Sequence, residues 1–167
     1  ECVFDVKVSG EIAPPSKKEK TLPKLDGPSL PLLKKAFKEK RGEEGVVSWD
    51  ELNWTGQDIV KIIVSGDKNK TIVDAIIINM DSNTLINFIT KNSINTSQKL
   101  DMVRTKYFTS IYLHSLFLYS IFYQLKDDEN NRHLKNVELD EFVSSLIKPY
   151  SSFLLHDRYH EISSIND

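Results

Sequence analysis

The chain has 167 residues, 40% of them apolar and 10% aromatic, which is enough to build one sizeable core. Charged residues make up 28% and the net charge is -2, so no global field draws the chain to nucleic acid or to an anionic membrane. The balance is uneven: residues 1–42 carry ten Lys/Arg against six Asp/Glu, and residues 43–167 carry twelve against eighteen. The one cysteine, Cys2, excludes an intrachain disulfide and a thiolate zinc site, and it fits a reducing, cytoplasmic setting.

Residues 1–9 read as an N-terminal strand, because Cys2 to Val8 alternate and are rich in β-branched side chains. Glu1 stands where an initiator Met is expected. No basic-then-apolar opening marks a signal peptide, so the expectation is a fragment of a longer protein. Residues 10–28, with Pro14, Pro15, Pro23 and Pro28 among Lys17, Lys18 and Lys20, read as a flexible linker unable to bury apolar surface.

A single α+β domain is expected over 29–156. Ser29 as N-cap and Pro31 in the first turn open a short helix whose inner face is Leu32, Leu33, Ala36 and Phe37. Lys34, Lys35, Lys38 and Arg41 would line its outer face as candidate phosphate contacts, and Gly42 and Gly45 would end it. Ser48 then opens a single turn that holds Trp49 and Trp54 as core or interface anchors. Two β-branched runs across a polar turn at Gly66–Lys70 predict a hairpin, 58–65 with 71–79, in which Ala75–Ile78 are buried on both faces. With the N-terminal strand 2–8, this hairpin predicts a small, mostly antiparallel sheet.

Asp81 or Ser82 caps a short helix containing Leu85 and Phe88. A long helix follows over 97–125, and its stretch 107–125 has no Asp, Glu, Lys or Arg. That length reaches a membrane span. However, tyrosines at 107, 112, 119 and 123 put hydroxyls through its middle, so a central core helix with no membrane partner is expected instead. Tyr112, Tyr119 and Tyr123 join Trp49 and Trp54 as candidate interaction residues. A last helix over 137–156, interrupted by Pro149, precedes a frayed tail over 157–167.

Catalytic chemistry is sparse. The six glycines form no phosphate loop and no serine sits in a nucleophile elbow, so no catalytic residue, metal or cofactor is assigned. His114, on the long helix, reads as a hydrogen-bonded core residue, since no carboxylate or second histidine lies near it in sequence. His156 and His160 have metal-ligand spacing but no nameable third ligand.

The run Ile76-Ile77-Ile78-Asn79-Met80-Asp81-Ser82-Asn83-Thr84-Leu85 is a strand passing through an Asn-x-Asp turn into a helix, followed by the apolar stretch from Tyr107 to Leu118. Over about residues 58–125 this resembles the C-terminal regions of bacterial multidomain proteins. Those proteins carry a GHKL-type ATPase module (heat-shock or MORC-like) or a subtilisin-like protease. The resemblance implies an ATPase-associated assembly or partner-binding element and carries over no catalytic residue. The leading expectation is therefore a non-catalytic interaction or assembly domain of a larger bacterial protein, with protein as its partner through self-association or docking on its parent. The alternatives are a nucleic-acid accessory module using the basic 17–41 segment and an enzyme built around His114.

Overall fold

The computed structural model describes residues 30–67, 70–127, 131, 134 and 136–156. The expected strand 2–8, the linker 10–28 and the tail 157–167 lie outside these residues.

Four strands form one mixed sheet in the order β2-β1-β4-β3. They are β1 (Leu32–Phe37), β2 (Val46–Ser48), β3 (Val60–Asp67) and β4 (Lys70–Asn79). Four helices accompany them: α1 (Trp49–Leu52), α2 (Asn83–Lys91), α3 (Ser97–Asp127) and α4 (Leu139–His156). The fold is α+β, but the sheet is not mostly antiparallel, because β1 runs parallel to both β2 and β4 and only β3 and β4 form the antiparallel hairpin.

The segment expected as a basic helix is the strand β1. Its apolar spacing, Leu32-Leu33 and Ala36-Phe37, follows a helix face, but over so short a length the pattern is too weak to decide the structure. The choice is made by β4, whose backbone pairs with β1 from Leu32↔Ala75 to Ala36↔Asn79 and satisfies backbone groups that a short helix would leave orphaned at its ends. The short parallel step from β1 to β2 needs a tight reversal. Gly42 and Gly45 make it at φ +68° and +74°, and the Gly45 carbonyl accepts from Lys35 N at 3.0 Å.

The hairpin is longer than expected. Gly66, Asp67 and Lys70, read as turn residues, belong to the ladder, with Asp67 paired to Lys70. Ala75, Ile76, Ile77 and Ile78 are all buried, as anticipated for the centre of a sheet.

Register separates the two faces of the sheet. Val60, Ile62, Ile76, Ile78, Leu33, Lys35 and Phe37 share one, and α3 lies over it, since the Lys35 ammonium sits 5.1 Å from the centre of the Phe108 ring. Val103, Tyr107, Ile111, Ser115, Leu118 and Phe122 form the buried stripe of α3 at helical spacing. Antiparallel to it, α4 buries Leu139, Val143, Ile147, Ser151 and Leu155, with Phe122 on Phe142 near one end and His114 on Tyr150 toward the other. Pro149 does not end α4, which continues to His156. Among the described residues no helix is long and apolar enough to cross a membrane.

α4 also closes the outer edge of β3. The Asp140 carboxylate accepts from Ile62 N at 2.6 Å, and Ser144 Oγ donates to the Val60 carbonyl at 3.0 Å. These two backbone groups point away from β4, so a side-chain pair on a helix takes the place of a fifth strand.

Candidate functional site

At the carboxyl end of β4 the chain passes through Asn79-Met80-Asp81-Ser82, and this short polar hinge ties three segments together. Asn79 is fully buried. Its Oδ1 accepts from Trp49 Nε1 at 2.9 Å and from Asp81 N at 3.0 Å. Its Nδ2 donates to the carbonyls of Asp58 at 2.7 Å and Thr55 at 3.3 Å. Asp81 does not cap α2; its carboxylate accepts from Lys38 N, fixing the exit of β1. Ser82 is the cap. Its Oγ accepts from Leu85 N and lies 2.8 Å from the Tyr107 hydroxyl. Burial pushes the Tyr107 hydroxyl pKa up, offset in part by that hydrogen bond.

Beside this hinge, between the end of β1 and the first turns of α3, lies a cleft of about 500 Å³. Phe37 and Met80 form its buried floor and Phe108 one wall. Lys35, Arg41 and Arg104 bring three cations to it, while Asp101 and Thr105 stand on the α3 side. The Arg41 guanidinium carbon is 3.5 Å from the centre of the Phe37 ring, a stacked contact. Among the described residues none of the three cations forms an ion pair.

Of the basic residues singled out in sequence, the fold thus unites Lys35 and Arg41 and adds Arg104, which no local pattern marked. Lys34 falls on the opposite face of the sheet, in register with Ile77, and Lys38 is exposed beyond the strand. The four do not share a helical face.

A second cleft of about 300 Å³ lies between α2 and the end of α4, lined by Asn83, Asn87, Lys91, Ser152 and His156 among others. His156 Nδ1 is 2.7 Å from the Ser152 carbonyl, and its ring meets Phe88 edge-on. His160 lies outside the described residues, and among those described no group of three His, Cys, Asp or Glu side chains is placed to hold a metal. His114 lines neither cleft. Its Nδ1 is 2.7 Å from the Ser110 carbonyl, a turn back on the same helix, and its ring packs edge-on against Tyr150.

The aromatic candidates divide. Trp49 and Trp54 are half-buried; Trp49 is spent on Asn79, and Trp54 N donates to the Trp49 carbonyl. Tyr112, Tyr119 and Tyr123 are half-buried on a flank of α3, with Tyr119 and Tyr123 in edge contact at 4.9 Å. The most exposed large apolar side chains of the helical pair are different ones. Leu113 (55%) and Phe117 (62%) on α3 and Phe153 (65%) on α4 stand open to solvent, and Leu146 on α4 is partly open as well. Helical spacing puts Leu113 and Phe117 one turn apart on the same side of α3. The uncharged composition of 107–125 hid this strip, because it offers apolar residues on every side of the helix.

Comparison with protein-family models, with curated proteins and with solved structures finds no match to this chain.

Proposed function

We propose that this chain is a non-catalytic assembly domain that joins a second copy of itself along the outer seam of α3 and α4. The observation that carries the reading is the strip of Leu113, Phe117 and Phe153, each more than half exposed. Covering side chains of this size is worth ~1.5–3 kcal/mol apiece, and large apolar side chains left open on neighbouring helices are suited to a contact surface. The occupant proposed is a second copy, since the α3 part of the surface, within 107–125, carries no charge that would repel its own like. Two identical apolar strips related by a twofold axis satisfy each other. In a larger bacterial parent of the kind the sequence resembles, with a GHKL-type ATPase or a subtilisin-like protease upstream, this contact would pair two copies of that parent.

Light scattering coupled to size exclusion tests the reading across a range of protein concentrations. The expected result is a dimer for the parent sequence and a monomer of unchanged circular dichroism for Leu113→Glu/Phe117→Glu. A parent chain that stays monomeric at the highest concentration, or a double variant that still dimerises, overturns it.

A further inference from the structure

We propose that the cleft between the end of β1 and the first turns of α3 binds a small molecule through a phosphate monoester group. This goes beyond the assembly reading and uses a different surface.

Three cations, Lys35, Arg41 and Arg104, converge on one concavity from two elements far apart in sequence. Like charges gathered in this way repel one another, and the cost is relieved when a counter-charge enters. Internal carboxylates do not supply that relief: among the described residues none of the three is ion-paired, and the single acid on the lining, Asp101, leaves a local excess of two positive charges. The excess matches a phosphate monoester, which carries up to two negative charges near neutral pH.

The cations are also held in place. The Arg41 guanidinium packs on the Phe37 ring at 3.5 Å and forms no ion pair among the described residues, so its N–H donors can make paired hydrogen bonds with phosphate oxygens. Lys35 is held over Phe108 in the same way, as a compact charge.

Size and the surrounding field select a small ligand over a polymer. About 500 Å³ falls in the range of small-molecule sites. Apart from Lys35, Arg41, Arg104 and Asp101 the chain holds 19 Lys/Arg against 23 Asp/Glu, so the chain as a whole adds no attraction for an extended polyanion. The buried Phe37 and Met80 give the organic part of the ligand an apolar floor.

The test is calorimetric titration of the intact chain with adenosine monophosphate, adenosine, inorganic phosphate and a single-stranded 12-nucleotide DNA. Saturable binding of the monophosphate is expected, with inorganic phosphate weaker and adenosine silent. Arg41→Gln and Arg104→Gln should each weaken binding about tenfold or more, while Lys38→Gln, outside the cleft, leaves it unchanged. All three sites are exposed, so the variants keep their fold, which circular dichroism verifies. Absence of saturable binding by either phosphate probe overturns the proposal. So does an affinity in both arginine variants equal to that of the unaltered chain, or 12-mer binding that exceeds monophosphate binding and is lost with the same arginines.

Discussion

Removal of the Asn79 side chain should unfold this protein more readily than any change of similar size on its surface. Asn79→Ala deletes four hydrogen bonds of 2.7 to 3.3 Å, and it leaves Trp49 Nε1, Asp81 N and the carbonyls of Thr55 and Asp58 without that partner. A net ~1 kcal/mol per bond, with an added penalty where water cannot reach the orphaned group, gives a loss of about 3–5 kcal/mol. With a urea dependence of ~1.5–2 kcal/mol per molar, the denaturation midpoint should fall by about 2 M.

Asn79→Asp sharpens the test. It keeps an acceptor for Trp49 and Asp81 but turns a carboxylate oxygen toward two carbonyls. Its folded-state pKa is therefore raised, and its penalty should be largest at neutral pH and fade as pH falls through that value. A midpoint for Asn79→Ala within ~0.5 M of the parent would refute the claim that this residue holds the hinge.

Two further perturbations probe the supports around it. Asp140→Ala should cost ~1.5–3 kcal/mol, because a charged acceptor is lost from Ile62 N; hydrogen exchange at the Ile62 amide should speed up well beyond that of its ladder-bonded neighbours, and unchanged protection would contradict the edge-closing role of α4. The raised pKa of Tyr107 means the folded state resists ionising it, so stability is complete below the unfolded value of ~10 and falls as pH rises past it. Tyr107→Phe should lose ~1 kcal/mol at neutral pH through the missing Ser82 contact and show a shallower alkaline decline, read from thermal melts between neutral pH and pH ~11.

The hairpin was legible because its signal is local: two β-branched runs on either side of a polar turn admit no other regular structure. The strand β1 was not, because six residues cannot distinguish a period of 3.6 from one of 2. What settles the matter is the backbone of β4, contributed from beyond β1, β2 and β3. The same distance hid the cationic cleft. Lys35 and Arg41 stood out as basic, but Arg104 is one arginine on a long helix until the fold lays its first turns against the end of β1. The exposed seam was illegible for the opposite reason. A stretch that is apolar all round gives no periodicity with which to mark the side that faces water.

The position of β4 between β1 and β3 sets an order of assembly. A hairpin with adjacent strands can zip up from its own turn within microseconds, whereas β1 has only the three-residue β2 to pair with until β4 is in place, and joining β4 closes a long loop. The hairpin is therefore the template, β1 a late arrival, and a mutation that slows the template delays every later step on the way to the native state.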